Sequence, residues 1–159
     1  MTKNYAAPWS SNLLFMSTLG SAVLLATAIA MSRSGYKLTL IPFALIFGAA
    51  LFSVRGYTVT PDAVLVHRLF WTTRLPLAGL QSAQFEPDVM TGGLRIFGNG
   101  GLFSFSGWFR NKTLGTYRAF VTDSRRTVVL RFRTSTVVVS PFPPEGFVED
   151  ITSAHKATE

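Results

Sequence analysis

The chain has 159 residues, 48% of them hydrophobic, with a net charge of +7 and no cysteine. Without cysteine the protein forms neither disulfide bonds nor thiolate metal sites. The length allows one membrane hairpin and one domain of about 100 residues, and the positive charge is compatible with anionic lipid or nucleic acid as a partner.

Two uncharged apolar runs, 12–31 and 38–54, follow a short N-terminal tail at 1–11. Neither run contains an acidic residue, a lysine, an arginine or a histidine. A helix rises about 1.5 Å per residue, so the first run is about 30 Å long, which is the thickness of a hydrocarbon core. The second run is close to the lower length limit for a span. The pattern predicts a two-helix transmembrane hairpin over residues 12–54, with its turn in 32–37.

Small residues in the first run recur every four positions, which would place them on one face of a helix: Thr18, Ala22, Ala26 and Ala30. Ala44 and Gly48 repeat this spacing in the second run. Helices in lipid associate through close backbone approach at small residues. We therefore expect the two helices to pack on each other through these faces.

A hairpin places the N-terminus and the C-terminal domain on the same side of the membrane. That side has four basic residues close to the membrane ends: Lys3, Arg55, Arg68 and Arg74. The link between the runs has only Arg33 and Lys37, so the positive-inside rule predicts a multi-pass inner-membrane protein with a cytoplasmic domain. A rival interpretation is a cleaved signal peptide, because Ala28-Ile29-Ala30 is similar to a signal-peptidase site after an apolar stretch.

From residue 55 the apolar periodicity changes from helical to alternating. Several segments have the alternation or the flanking turns of strands: 56–60, 63–71, 73–77, 80–85, 117–122, 127–133 and 136–140. In the clearest of them, Val128, Leu130 and Phe132 would face a core. Turns recur about every ten residues with no helical period between them, which predicts an antiparallel meander closed into a barrel or a sandwich.

The end of the domain is predicted to be helical, from about residue 143 to 154. Pro143 and Pro144 suit the first turn of a helix, and Phe147 and Ile151 lie on one apolar stripe. A sheet followed by one amphipathic helix indicates that the helix closes an open end of the barrel.

The domain contains four notable segments: Arg95-Ile96-Phe97-Gly98-Asn99-Gly100-Gly101-Leu102-Phe103, Gly107-Trp108-Phe109, Leu114-Gly115 and Val138-Val139-Ser140-Pro141. Together they resemble the bacterial pleckstrin-homology-like (PH-like) domain families, in which a membrane hairpin often precedes the barrel. The resemblance covers roughly residues 55–152 and implies a bent seven-stranded antiparallel barrel capped by a C-terminal α-helix. On this basis we expect a membrane-anchored all-β domain with one helix at 55–154 and a tail at 155–159. The resemblance implies little about activity, because a fold does not dictate a function.

Residues 92–115 are rich in glycine and aromatic residues, and three interpretations of this segment are open. A phosphate-cradling loop is disfavoured, because the glycines run into Leu102 and Phe103 instead of a helix with a Lys-Ser/Thr pair. A second interpretation is a surface loop whose aromatic residues enter the membrane interface and whose basic residues meet lipid phosphates. Its candidate contacts are Arg95, Trp108, Phe109, Arg110 and Lys112. In the third, the aromatic side chains fill the core and the glycines let the strands bend.

Catalytic signatures are missing from the sequence, which contains no Gly-x-Ser-x-Gly elbow, no His-Glu-x-x-His motif and no Rossmann fingerprint. Neither histidine, at positions 67 and 155, lies in a motif with metal-ligand spacing. We therefore expect no enzymatic activity, no cofactor and no metal. The alternative is a membrane-associated enzyme or transporter accessory subunit that uses Glu86 and Asp88, which would share one strand face and could act as an acid–base pair.

The sequence as a whole favours a non-catalytic membrane-anchored module that binds a protein partner, including a second copy of itself, or an anionic membrane surface. Nucleic acid is not expected as a partner because the chain has no RNA-binding signature, although arginines at 125, 126, 131 and 133 could form a stripe. Recognition of inositol phosphates is not expected either. Phosphoinositide-binding pleckstrin domains use a basic first hairpin loop, and the corresponding turn at 60–63 has one acid and no base.

Overall fold

The computed structural model describes residues 2–32 and 36–156, which form two β-sheets and three α-helices. The first sheet has four antiparallel strands in chain order: β1 (Lys3–Ala6), β2 (Val54–Val59), β3 (Ala63–Arg68) and β4 (Thr72–Pro76). The second sheet has six strands, in the spatial order β5-β9-β10-β8-β7-β6: β5 (Leu80–Phe85), β6 (Leu94–Gly100), β7 (Phe105–Asn111), β8 (Gly115–Val121), β9 (Val128–Phe132) and β10 (Thr136–Val139). The helices are α1 (Ser11–Met31), α2 (Tyr36–Leu51) and α3 (Pro144–Lys156).

The family resemblance implies a bent seven-stranded antiparallel barrel, whereas the alternation leaves a barrel or a sandwich open. The structure corrects the expectation of a closed barrel. Among the described residues the strands form two sheets without closing into a barrel, and β10 pairs with β8 in parallel. The cause is the connection at 122–127, which carries the chain from β8 past the position of β10 to β9. β9 and β10 then form a hairpin, which places β10 between β9 and β8. The general prediction of an all-β domain followed by a C-terminal helix is confirmed.

The N-terminal segment contributes a strand that the sequence patterns do not reveal. β1 pairs with β2 along its whole length, and the ring of Tyr5 packs edge-on against Phe147 of α3 with 5.1 Å between centroids. Since α1 and α2 are inserted between two paired strands, the start of α1 and the end of α2 lie at the same end of the first sheet.

The two N-terminal helices differ in length. α1 has 21 residues and is long and apolar enough to cross a membrane, by length and composition. α2 has 16 residues and does not reach that length, so the predicted transmembrane hairpin is not confirmed. The second apolar run, 38–54, is helical only as far as Leu51, and its last residue begins β2. The predicted turn at 32–37 lies partly outside the described residues.

The two helices pack against each other, but the predicted small-residue face of α1 is not the buried one. The buried residues of α1 are Leu13, Ser17 and Ala28. The four residues of the predicted face are exposed: Thr18, Ala22, Ala26 and Ala30. Ser17 faces the turn between β6 and β7, and this contact sets the rotation of α1 about its axis. Helical spacing alone does not reveal a contact with so distant a part of the chain.

Two groups of buried side chains hold the domain together. The larger group joins the two sheets to α3, whose Phe147 and Ile151 are fully buried, as the apolar stripe predicts. The smaller group lies on the other face of the second sheet around Phe109 and Tyr117, because neighbouring residues of a strand point to opposite faces. The second sheet therefore buries side chains on both faces, whereas the side chains of its edge strand β6 are mostly exposed.

Candidate functional site

The glycine-rich segment forms the edge hairpin of the second sheet, β6 and β7. Gly98 and Gly107 face each other across this hairpin and have φ angles of 114° and 147°. A Cβ atom on Gly107 would overlap the carbonyl oxygen of Phe97. The glycines therefore let the two strands approach where a side chain would collide. Since the segment leads into β7 and not into a helix, it does not form a phosphate-cradling loop.

The turn between β6 and β7 docks onto α1. The N–H group of Phe103 donates a hydrogen bond to Ser17 Oγ at 2.9 Å. Leu102 lies beside Gly20, where an added Cβ atom would be 3.1 Å from Leu102 Cδ1. Gly20 is nine residues beyond the start of α1, so the turn reaches about 14 Å along this helix.

The same turn holds the end of α2. Ser104 Oγ donates to the carbonyl oxygen of Phe52 at 3.0 Å, and Asn99 Nδ2 donates to the carbonyl oxygen of Ala49 at 3.5 Å. Carbonyl groups at a helix end need partners outside the helix. The tip of the hairpin is therefore fixed between α1 and the end of α2.

The outward side of β6 is apolar and exposed. Leu94 is 76% exposed, Ile96 57% and Phe97 77%. Leu94, Ile96 and Phe97 are not among the contacts predicted from the sequence, because the irregularity between Arg95 and Phe97 interrupts the alternation of β6. An exposed apolar patch on an edge strand marks an interaction surface.

Four of the five predicted contact residues are exposed: Arg95, Trp108, Arg110 and Lys112. The fifth, Phe109, is 4% exposed and stacks on Tyr117 with 6.0 Å between the ring centroids. Trp108 and Phe109 are neighbours in β7 and point to opposite faces of the sheet. The structure therefore corrects Phe109 from a surface contact to a core residue.

A second feature lies where the first sheet meets the end of α2. Arg68, which pairs with Val54 across β2 and β3, is only 8% exposed. Its guanidinium carbon lies 5.5 Å from the ring centroid of Phe52, 5.6 Å from that of Trp71 and 4.9 Å from that of Phe120. The Nε and Nη1 atoms of Arg68 have no hydrogen-bond partner among the described residues.

No acidic side chain in the described part of the chain forms an ion pair with Arg68. Arg118 lies against the same ring of Phe120, with its guanidinium carbon 4.8 Å from the centroid. Burial and then the charge of Arg118 lower the pKa of Arg68 to about 10. In β3, Arg68 shares a face with Val64 and Val66, which are fully buried, but the alternation does not reveal the surrounding rings.

Glu86 and Asp88, the predicted acid–base pair, lie in different local environments. Glu86 accepts a hydrogen bond from Arg131 Nη1 at 2.6 Å, and Asp88 is exposed with a φ angle of 55°. His67 Nε2 lies 2.7 Å from Thr58 Oγ1. Within the described ranges there is no group of three or more His, Cys, Asp or Glu residues that could hold a metal ion. The ion pair with Arg131 supports a structural role for Glu86.

A family model described as a bacterial PH domain matches residues 55–155. This match runs from β2 to α3 and leaves β1, α1 and α2 outside it. Comparison with curated proteins gives no match, and comparison with solved structures gives none either.

Proposed function

We propose that this chain, which belongs to the bacterial PH domain family, is a non-catalytic binding module anchored in a membrane by α1 and α2, with the β6–β7 hairpin on the lipid surface. The observation that carries the proposal is the contact of the hairpin tip with Ser17 and Gly20, well inside an apolar helix. If α1 lies in a bilayer over its whole length, a hairpin tip that packs about 14 Å along it reaches the membrane.

The pairing of β1 with β2 supports a helical hairpin as the anchor. The two strands flank the helices in sequence and lie side by side in one sheet, so a chain that crosses a bilayer in α1 has to return in α2. α2 spans about 24 Å, which is less than a hydrocarbon core of about 30 Å, and bilayers accommodate such a mismatch by local thinning. A cleaved signal peptide is less compatible with this fold, because cleavage near Ala30 would remove β1.

The side chains around the hairpin suit an anionic bilayer. Leu94, Ile96 and Phe97 would enter the acyl region, and the amphipathic ring of Trp108 suits the interface. Three exposed basic side chains flank them: Arg95, Arg110 and Lys112. Each basic residue near an anionic surface contributes about 1 kcal/mol to membrane binding. Because anionic lipids and the positive-inside rule both favour the cytoplasmic leaflet, we assign the domain to the cytoplasmic side of the inner membrane.

The depth of the hairpin can be measured directly, because the chain has no native cysteine. Phe97→Cys, labelled with a fluorophore in the full-length protein, is reconstituted into vesicles that contain phosphatidylglycerol and lipids with a nitroxide on the acyl chain. We expect strong quenching at this position. Gln81→Cys is the control, because Gln81 shares a cavity with Asp62, at the end of the first sheet opposite to Val54. Equal quenching at both positions would contradict the proposal.

A second candidate function is the binding of a protein strand at β6. β6 is the last strand of the second sheet, so its outer edge offers backbone groups to a strand of a partner or of a second copy. Ile96→Cys with a thiol cross-linker in native membranes tests this function. A cross-linked product with a defined mass favours a protein at this edge, whereas labelling by lipid-soluble reagents alone favours the bilayer.

A further inference from the structure

A cavity of about 420 Å³ lies at the base of the apolar helices. It is lined by the segment before α1, the end of α2, the start of β2, the turn after β3 and the tip of the β6–β7 hairpin. Most of its lining residues are apolar: Ala7, Trp9, Ala50, Val54, Leu69 and Phe103. The polar ones are Ser53 and Arg55. Small-molecule sites are mostly apolar cavities of this size with a few polar groups that orient the ligand.

Two aromatic rings meet at this cavity. Trp9 precedes Ser10, the N-cap residue of α1, and its ring centroid lies 6.0 Å from that of Phe103. Phe103 has a φ angle of 67°, which is rare for a residue with a bulky side chain. Such backbone strain is retained where the surrounding contacts hold the residue in place, and it clusters at binding sites. With α1 in a membrane, Trp9 lies where this helix enters the bilayer, which is the level that tryptophan prefers.

Arg55 brings a positive charge to the cavity. Val54 faces Arg68 and Gly56 faces His67 in the pairing of β2 with β3, so Arg55 is the extra residue of a bulge. A bulge redirects the side chain that it carries. Arg55 is exposed and forms no ion pair with an acidic residue in the described part of the chain. Its guanidinium group is therefore accessible to an anionic ligand.

Arg55 also lines a second cavity, of about 430 Å³, over β1, β2 and β3. Polar side chains form a row across this cavity. Thr58 Oγ1 donates to Asn4 Oδ1 at 2.6 Å and lies 2.7 Å from His67 Nε2. Asn4 is exposed, and its amide group has two N–H donors. One arginine thus lines both an apolar cavity at the helix base and a polar cavity on the first sheet.

We propose that the two cavities bind one anionic phospholipid with a hydroxylated headgroup. Arg55 binds the phosphate, because the planar N–H groups of arginine match phosphate oxygens. The apolar cavity takes the glycerol backbone and the start of an acyl chain, and the polar cavity takes the headgroup hydroxyls. This site rests on the proposed membrane anchoring and adds to it a lipid class. Arg55 and Asn4 are separate from the residues with which the β6–β7 hairpin meets the bilayer.

Native mass spectrometry of the full-length protein in detergent tests the site. We expect one phosphatidylglycerol molecule to be retained at a concentration at least tenfold lower than phosphatidylcholine. Arg55→Gln should weaken this retention by about tenfold or more, as is typical for loss of a charge-assisted hydrogen bond. Since Arg55 is exposed, we expect an unchanged circular dichroism spectrum. The matched controls are Arg110→Gln in the hairpin and Arg133→Gln beside a distant cavity, both exposed, and neither should change retention.

Phosphatidic acid, which has the phosphate but no further headgroup, tests the polar cavity. Asn4→Ala should weaken retention of phosphatidylglycerol and leave that of phosphatidic acid unchanged. An equal effect on both lipids, or none on either, would overturn the placement of the headgroup in this cavity.

Two further results would overturn the site as a whole. One is equal retention of phosphatidylcholine and phosphatidylglycerol, and the other is an equal loss in Arg55→Gln and Arg110→Gln, because surface charge would then suffice. A quenched Phe97 label without selective retention would overturn this site and leave the hairpin on the bilayer. Selective retention that Arg55→Gln abolishes, with an unquenched Phe97 label, would support this site and overturn the position of the hairpin.

Discussion

The hydroxyl group of Tyr57 joins the two sheets inside the core. It donates to the Phe120 carbonyl oxygen at 2.6 Å and accepts from the Ser140 N–H group at 3.1 Å, and burial raises the pKa of Tyr57 to about 12. Tyr57→Phe removes the hydroxyl partner of two buried backbone groups, so we expect a loss of about 1–3 kcal/mol in the free energy of unfolding. Urea unfolding of the full-length protein in detergent measures it.

Tyr117 provides the matched control for that substitution. Its hydroxyl group is buried and has no hydrogen-bond partner among the described residues, so Tyr117→Phe removes a group whose burial is uncompensated. We expect no loss of stability, or a small gain. Equal losses in Tyr57→Phe and Tyr117→Phe would show that ring packing, and not the hydrogen bonds of Tyr57, carries the effect.

Asp150 ties α3 to the first strand. Lys3 Nζ donates to its carboxylate at 2.7 Å, and the Tyr5 hydroxyl group donates to the other oxygen. The hydrogen bond from Lys3, followed by that from Tyr5, holds the pKa of Asp150 below its usual range. A carboxyl group whose pKa is lower in the folded state stabilises the fold above its unfolded pKa of about 3.9, and this contribution disappears as the pH falls through the folded pKa.

The stability of the native protein relative to Asp150→Asn should therefore depend on pH. We expect the native protein to be more stable by about 1 kcal/mol at neutral pH, a modest value because Lys3 is exposed. The difference should shrink below about pH 4. Chemical unfolding at several pH values measures it, with Glu149→Gln as a control that removes an equal charge from the same helix. A difference that stays constant down to acid pH would contradict the assignment.

Single residues also show which contacts the sequence patterns do not predict. Alternation puts Arg68 on the same face of β3 as Val64 and Val66, but its aromatic neighbours come from the end of α2, from the turn after β3 and from β8. Whether Trp108 or Phe109 faces the surface depends on which side of β7 is covered by Tyr117 and its neighbours. Such cross-chain contacts have no local pattern, so the sequence could not decide between them.

At the level of elements, Gly107 decides whether the β6–β7 hairpin forms. Its φ angle of 147° is strained for any other residue, and a Cβ atom there would collide with backbone of β6. Backbone strain alone would cost about 1–3 kcal/mol, and we expect Gly107→Ala to destabilise the protein by more than this because of the added collision. Hydrogen exchange should become faster in the hairpin before it does so elsewhere. Hydrogen exchange followed by mass spectrometry reports this site by site.

Gly79→Ala separates strain from collision in the same experiment. Gly79 has a φ angle of 79°, but an added Cβ atom there meets nothing within 4 Å. Its substitution should cost about 1 kcal/mol and leave exchange in the hairpin unchanged. If Gly107→Ala and Gly79→Ala had equal effects on stability and on hydrogen exchange, the close approach of β6 and β7 would not be the reason for glycine at position 107.

The elements that were predicted share strong local patterns. Strands β2 to β5, β8 to β10 and helix α3 appear within a few residues of their predicted bounds, because alternation and amphipathic spacing are local. The sequence does not reveal β6 and β7 as strands, because glycine is disfavoured in strands and hides the alternation. β1 has four residues and depends on its pairing with β2, which lies almost fifty residues away in the sequence.

Across the domain, the strand order differs from the antiparallel meander that the spacing predicts. A meander pairs each strand with its neighbour in sequence, but here β10 separates β8 from β9. The local patterns of β8, β9 and β10 are the same in both arrangements, so sequence spacing could not distinguish them. Arg118 and Trp108 line a cleft between β4 and the second sheet.

The pairing of β1 with β2 also makes a prediction about the sidedness of the whole chain. Since both strands belong to one sheet, the N-terminus and the PH domain have to lie on one side of any membrane that α1 crosses. Single cysteines introduced at Thr2 and Gln81 should therefore react with a membrane-impermeant maleimide only after the cells are opened, whereas Ser32→Cys, at the exposed end of α1, should react in intact spheroplasts. The intact mass of the purified protein should include the residues of β1. Loss of those residues, or labelling of Thr2→Cys and Gln81→Cys from opposite sides, would contradict the helical hairpin, because a strand cannot pair across a bilayer.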